Sequence, residues 1–146
     1  MTPDVNVLVA ASRTDHPHHA VARDWLEAAV GASAAGGRRL DADADGAGRL
    51  LRLVTSPKIF QLATPIEDAV AFVDALLTSP GVQLVALGPE WSKLRQLCVD
   101  KKLSGNDVQD AWLSAAVAHM GEHLVSFDRD FRKLLPRGRF TLLPAA

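Results

Sequence analysis

Three aspartates stand where a parallel sheet would bring their carboxylates together. Asp4 lies at the end of the predicted first strand, and Asp128 closes the buried run "HLVSFD". Asp110 lies in the first turns of a helix that opens with Gly105 and Asn106. Ligands of open parallel sheets bind beyond the carboxyl ends of the strands, so these three side chains are expected to face one crevice.

Carboxylates that converge on one crevice repel each other and raise each other's pKa unless a cation lies among them. Hard oxygen ligands suit Mg²⁺ or Mn²⁺, which keep several water molecules available for chemistry. Each aspartate alone also has a structural interpretation, as a helix N-cap or as a charge at a helix N-terminus. Together, Asp4, Asp110 and Asp128 indicate a divalent metal centre.

A second acidic pattern, "DADADGAGRLLR" at residues 41–52, is close to the twelve-residue calcium loop of an EF-hand. The aspartates at 41, 43 and 45 and the glycine after them fit its first half. Position 12, which should be a bidentate glutamate, is Arg52, and the sequence contains no second loop of this kind. Calcium binding through residues 41–52 is therefore a distant alternative.

The elements that must position these residues alternate between strand and helix. The run at 4–12 predicts a short buried strand or strand end, and "HPHHAVARDWLEAAVGAS" predicts a helix. A poor strand near 38–43 leads to a helix from about residue 46, with Asp45 as its N-cap. Thr64 and Glu67 predict a capping box, with Pro65 at the first helical position. The remaining elements are the strand "VQLVAL", helices in "GPEWSKLRQLCVDKKL" and "GNDVQDAWLSAAVAHMG", the strand "HLVSFD", the turn "RDFRKLL" and the strand "FTLLP".

This alternation predicts an α/β fold with a mainly parallel sheet covered by helices on both faces. A chain of 146 residues, 48% of them apolar, favours a single domain over residues 1–146. The net charge of −1 gives no global attraction to nucleic acid, and the single cysteine excludes an intramolecular disulfide. The apolar N-terminal run is too short for a signal peptide, and no stretch approaches the ~20 apolar residues of a membrane span. We expect a cytoplasmic protein, with secretion without a signal peptide left open.

Four strings in order, "PDVNVLVAAS", "HPHHAVARDWL", "LRLVTSPKIF" and "GNDVQDAWLSAAVAHMGEHLVSFDRDF", resemble a PIN-domain ribonuclease of the VapC toxin type. The resemblance covers nearly the whole chain, and its last string is the most specific. It implies a three-layer α/β/α sandwich and a Mg²⁺-dependent endoribonuclease, the toxin of a type II toxin–antitoxin pair. By resemblance, Asp4 and Asp110 are the main metal ligands, Asp128 is a third, Asp130 assists, and Asn6 hydrogen-bonds behind them. It also implies a VapB-type antitoxin that covers the crevice, an RNA substrate and a homodimer.

One departure from the family pattern concerns the helix "LLRLVT", which the family commonly begins with a second acid. Arg49 stands there. Asp45, one turn earlier, is expected to cap the helix or to pair with Arg49, or else to supply the missing carboxylate, with Asp43 a weaker substitute. Arg49 leaves open a second function, a PIN-like binding protein with a weakened active site. A small acidic-site phosphatase is a more distant alternative.

Other residue groups have simpler interpretations. The histidines in "DHPHH" lack a partner at a zinc-site spacing and indicate an ordinary loop. The three tryptophans fall on apolar helical faces and are predicted to belong to the core. Basic residues around the acidic centre would attract phosphates, although a solvated basic surface explains them equally well. They are Lys101, Lys102, Arg129, Arg132, Lys133, Arg137 and Arg139.

Overall fold

The computed structural model describes residues 1–85, 91–103 and 107–145 of the chain. Within these ranges strands and helices alternate, as expected. The strands are β1 (Thr2–Pro3), β2 (Leu40–Asp43), β3 (Val82–Val85), β4 (Leu124–Ser126) and β5 (Phe140–Leu142). The helices are α1 (Val5–Ser12), α2 (His19–Ala34), α3 (Ala44–Val54), α4 (Ile66–Leu77), α5 (Trp91–Asp100) and α6 (Asp107–His119), with 3-10 turns at Arg129–Lys133 and Arg137–Arg139. Gly105 and Asn106, which were expected to open α6, lie outside the described residues.

All the paired strands are parallel. β2 pairs with β3, and β4 pairs with both β1 and β5. Two hydrogen bonds join β1 to β2: the Met1 amino group donates to the Arg39 carbonyl oxygen at 2.6 Å, and the Asp41 N–H donates to the Met1 carbonyl oxygen at 2.8 Å. The order across the sheet is therefore β3-β2-β1-β4-β5. Met1 lies level with Leu40, so the register brings Asp4 level with Asp43 at the carboxyl edge.

Helices cover both faces of this sheet, which confirms the predicted α/β fold with helices on both sides of a parallel sheet. Along β4, Val125 packs into a core with α1, α2, α3 and α4. Its neighbour Leu124 faces the other way and packs with Val117 of α6 and with Phe131. Successive residues of a strand point to opposite faces, so β4 contributes to two separate cores.

The first strand precedes the predicted run, and residues 5–12 of that run are helical, so the prediction of a strand there is wrong. β1 covers only Thr2–Pro3, and α1 begins at Val5. Val7 and Ala10 in α1 have no exposed surface, because the helix lies between the sheet, α2 and α3. A helix buried all round is apolar on every side, so its sequence has the same appearance as a buried strand.

The acidic run is not a calcium loop. Asp41 is buried within β2, and the residues from Ala44 onward form α3. A helix cannot wrap ligands from alternate residues around one ion, which excludes the EF-hand interpretation. The N-cap of α3 is Asp43, so the prediction that Asp45 caps this helix is wrong.

The capping box predicted for α4 is also absent. Pro65 is the N-cap, and it makes no side-chain capping hydrogen bond. The Thr64 hydroxyl instead accepts a hydrogen bond from the buried Arg13 guanidinium at 3.0 Å. A tertiary partner thus replaces the local one.

Across the described ranges, no helix has both the length and the apolar character that crossing a bilayer requires.

Candidate functional site

Three aspartates cap helical segments at the carboxyl ends of three neighbouring strands. Asp4 follows β1 and its Oδ1 accepts a hydrogen bond from the Val5 N–H at 2.7 Å. Asp43 ends β2 and accepts from the first turn of α3 at 3.1 and 3.2 Å. Asp128 follows β4 and accepts from the Asp130 N–H at 2.9 Å. Since β2, β1 and β4 are adjacent, these backbone amides hold three carboxylates along one edge of the sheet.

Asp4 is the most buried member of this group, with 7% of its surface exposed. Burial raises the pKa of Asp4, and hydrogen bonds from the Ser126 hydroxyl and the Val5 N–H oppose that shift. The positive charge of Arg49 also lowers the pKa of Asp4, whereas the negative charge of Asp128 raises it. Asp4 is therefore a buried carboxylate whose ionised form depends on specific donors.

Ser126, which sequence reasoning missed, links these groups. Its fully buried hydroxyl donates to Asp4 Oδ2 at 2.8 Å. Ser126 Oγ also accepts hydrogen bonds from Asn6 Nδ2 at 3.0 Å and from the Asp128 N–H at 3.0 Å. Asn6 thus reaches Asp4 through Ser126. A small polar residue at the end of an apolar strand is the sequence signal that would have identified it.

Asp110 on α6 carries the largest electrostatic signal of the site. Burial and the negative charges of Asp128, Asp4, Asp107 and Asp130, in that order, raise the pKa of Asp110 from 3.8 to about 6. The structure therefore brings the predicted residues Asp4, Asp110, Asp128 and Asp130 within electrostatic reach of one another. Asp107, in the first turn of α6, also belongs to this acidic cluster and was not predicted from the sequence.

The donor types of this cluster fit a hard divalent cation. In the described part of the chain, no three His, Cys, Asp or Glu side chains already converge on a single ion position. Mg²⁺ does not require such a cage, because it binds through one or two carboxylates and keeps water or phosphate oxygens as its other ligands. Burial is the largest cause of the raised pKa of Asp110, and the neighbouring carboxylates add a repulsion that a cation would relieve.

Asp43 is better placed than Asp45 to supply the acid that is missing at Arg49. The Asp45 side chain is exposed and forms no ion pair with Arg49 in the described residues. Burial raises the pKa of Asp43, while the amides of Asp45 and Gly46 and the charge of Arg49 lower it. Asp43 also lies level with Asp4 on the neighbouring strand, so it belongs to the edge where the other acids gather.

A basic wall stands beside Asp110. Lys101, Lys102 and Lys133 line a cleft of about 350 Å³ together with Asp110 and Asp130. This places three of the predicted basic residues next to the acidic centre, where phosphates of a bound chain would pass.

The histidines of the loop have other contacts: His18 stacks on Phe127 at 4.8 Å between ring centroids.

The comparisons with known proteins agree on one family. The family model described as the PIN domain matches residues 1–134. Ribonuclease VapC25 of Mycobacterium tuberculosis (strain ATCC 25618 / H37Rv) is 37% identical to this chain over 143 residues, covering 89% of each chain. Ribonuclease VapC31 of the same species is 37% identical over 139 residues, again covering 89% of each chain.

Among solved structures, the crystal structure of Mycobacterium tuberculosis VapC20, described as a sarcin–ricin loop cleaving toxin, matches with a TM-score of 0.55. The match covers 90% of this chain and 92% of that one at 15% sequence identity. At this low identity the structural likeness shows the shared fold alone.

Proposed function

Because this chain belongs to the PIN-domain family, as a member of the VapC type, we propose that it is a metal-dependent endoribonuclease and the toxin of a toxin–antitoxin pair. The ribonuclease activity is supported by relatives named ribonucleases that align over 89% of the chain. The metal dependence is supported by one observation above all, the pKa of Asp110, which burial and neighbouring carboxylates raise to about 6. Such a cluster is unfavourable by itself and favourable around a cation.

We assign Mg²⁺, with Mn²⁺ as a substitute, to Asp4 and Asp110, with Asp130 and Asp43 within the same acidic edge. Asp128 is proposed as a third ligand, and its side chain would have to move toward the bound ion to reach it. A bound ion of this kind would supply a coordinated water of lowered pKa and would neutralise negative charge on the phosphate oxygens. The protein then needs no nucleophilic side chain of its own.

The remaining tasks fall to the protein's own residues. The Ser126 hydroxyl and the Val5 N–H oppose the rise in the pKa of Asp4 that burial causes, and they fix the direction of both its carboxylate oxygens. Asn6 orients Ser126. Lys101, Lys102 and Lys133, which line the cleft of Asp110, bind the phosphates of the RNA.

The resemblance also supplies the partners of this proposal. A VapB-type antitoxin would place a C-terminal segment over the acidic edge, with a basic side chain among the carboxylates. The toxin itself is proposed to be cytoplasmic and to form a homodimer. Light scattering of the purified protein measures its molar mass and so tests the homodimer. A basic antitoxin residue fits the site for the same reason that a metal cation does, since both relieve the repulsion around Asp110.

The test uses purified protein that is free of antitoxin. We expect cleavage of structured RNA with added Mg²⁺ and none in EDTA. Asp4→Asn and Asp110→Asn should lower the rate by more than about 100-fold, because removing a ligand costs more than removing a residue that supports one. Asp74→Asn, at an exposed position of α4, is the matched control and should cleave at the wild-type rate. Full activity in EDTA or in Asp110→Asn would refute the metal centre.

Arg49 is the specific observation that favours a second function. Its charge acts on both Asp4 and Asp43, so a fixed cation already serves part of the acidic edge. A PIN-like binding protein with a weakened site would bind RNA but leave it intact at every Mg²⁺ concentration. Binding without cleavage would therefore replace the ribonuclease proposal with this one.

A further inference from the structure

Helices α3 and α6 face each other across a cleft that the proposed reaction has not yet used. Its volume is about 480 Å³, within the range of roughly 300–1,000 Å³ that is common for small-ligand sites. Asp43 lines one part of the cleft, so the cleft joins the acidic edge. Its other lining residues include Gly48, Arg49, Arg52 and Trp112.

Trp112 presents its indole to this cleft instead of to the core. The side chain is 46% exposed, although the sequence predicted that it would be buried. Its helix neighbours Ala111 and Ala115 are fully buried, so α6 packs through those small residues and leaves the large aromatic outside. An exposed aromatic surface of this kind is the platform on which single-stranded nucleic acids stack their bases.

Gly48 keeps the cleft open from the opposite side. It lies within α3, where glycine weakens a helix relative to alanine. A Cβ at this position would meet no atom within 4 Å, so close packing does not require a glycine here. A side chain at residue 48 would extend into the cleft, and the absence of one leaves that space for a ligand.

Two arginines of the cleft can bind the phosphate of a nucleotide, although Asp43 and Asp45 line the same wall. Arg52 lies one helical turn from Gly48 and, like Arg49, lines the cleft. A guanidinium binds phosphate through paired hydrogen bonds. Asp43 lines the cleft and also ends β2 at the acidic edge, so an RNA strand with a phosphate at that edge would have its neighbouring nucleotide beside these arginines.

We propose that the cleft between α3 and α6 is a nucleotide-binding subsite, in which a base of single-stranded RNA stacks on Trp112 and its phosphate contacts Arg52. The subsite rests on the proposed ribonuclease function and adds the means by which the nucleotide next to the scissile phosphate is held. The α6 wall offers Trp112 and the polar Gln109, and the charged side chains of the cleft all lie on the opposite wall. An aromatic wall that faces arginines, together with the direct connection to the acidic edge, favours RNA over a protein helix as the occupant.

The experiment measures binding separately from cleavage. Fluorescence anisotropy in EDTA reports the affinity of the full chain for a fluorescein-labelled single-stranded RNA of mixed sequence. Trp112→Ala and Gly48→Leu are each expected to weaken binding about tenfold, the loss typical of one stacked base. Trp112→Phe keeps an aromatic platform and should bind nearly as well as wild type. Gly31→Leu is the matched control, since a Cβ at Gly31 in α2 also meets nothing within 4 Å but lies outside this cleft.

In Mg²⁺, Trp112→Ala and Gly48→Leu should raise KM about tenfold while kcat stays within about twofold of wild type. Wild-type affinity in both variants, confirmed as folded by circular dichroism, overturns the subsite. So does a change of oligomeric mass without a change in RNA affinity, which would make the cleft a protein interface, and so does wild-type protein that does not bind the RNA. Binding that depends on Trp112 without any cleavage refutes the ribonuclease and supports the subsite.

Discussion

Replacing Asp110 with asparagine is expected to stabilise the metal-free protein even as it abolishes activity. Burial and four neighbouring negative charges raise the pKa of Asp110 from 3.8 to about 6. Between these two pH values the folded protein retains a proton on Asp110 that the unfolded chain has released. The free energy of unfolding therefore falls as the pH rises through this window, and the full penalty is present above about pH 6.

The size of the effect follows from the shift. About two pKa units correspond to about 3 kcal/mol, which is an upper limit. Asp110 is only partly buried, and solvent screening reduces the penalty to about 1–2 kcal/mol. For a chain of this length, that gain raises the Tm of Asp110→Asn by roughly 3–6 °C over wild type.

Urea unfolding followed by circular dichroism in EDTA provides the measurement. At pH 7.5 the variant should be the more stable protein, and at pH 4 the difference should nearly vanish because wild-type Asp110 is then protonated in the folded state. Asp74→Asn should show neither effect. An Asp110→Asn variant that is less stable than wild type at pH 7.5, or equally stabilised at both pH values, would refute the argument from carboxylate repulsion.

Two other substitutions test how the edge is built. Ser126→Ala removes a hydrogen bond that lowers the pKa of the buried Asp4, so stability should fall by about 1–3 kcal/mol and the acid limb of the pH–rate profile should move to higher pH. An unchanged acid limb would show that Ser126 does not keep Asp4 ionised. Asp43→Ala should cost about 1 kcal/mol in urea unfolding as a lost N-cap, whereas Asp45→Ala at an exposed position should cost less than about 0.5 kcal/mol. The reverse order would mean that Asp45 is the functional cap in solution.

Two strands of the sheet, β3 and β4, were predictable because each lies in a short apolar run. β4 is fully buried and ends two residues before Asp128, so the pattern of hydrophobicity alone located that acid at the carboxyl edge. Asp4 does follow β1, as expected. The apolar run at 4–12 that predicted the strand is nevertheless α1, because this helix is buried on all sides and its valines show no helical periodicity.

The details of the edge depend on contacts between residues that are distant in sequence. Ser126 and Asp4 are 122 residues apart, and no local pattern indicates that one donates to the other. Asp43 and Asp45 are equally good cap residues by type. The pairing of β2 with β3 decides which of them caps α3. Asp43 pairs with Val85 at the end of β2, so its backbone stays extended and the helix begins after it. Trp112 was wrongly predicted to be buried because α6 packs against the rest of the protein through alanines. An amphipathic pattern does not show whether the packed face of a helix has space for a large side chain.

The distribution of positive charge explains where a cation is most needed. Arg49 lowers the pKa of both Asp4 and Asp43, so the β2 side of the acidic edge already has a compensating charge. On the α6 side, the leading influences on Asp110 are burial and four carboxylates, all of which raise its pKa. We therefore expect an ion from solution to relieve more carboxylate repulsion at Asp110 than at Asp43. Added Mg²⁺ should accordingly raise the Tm of wild type more than that of Asp110→Asn, because a ligand that binds only the folded state stabilises it by RT ln(1 + [L]/Kd), which is larger for the tighter site.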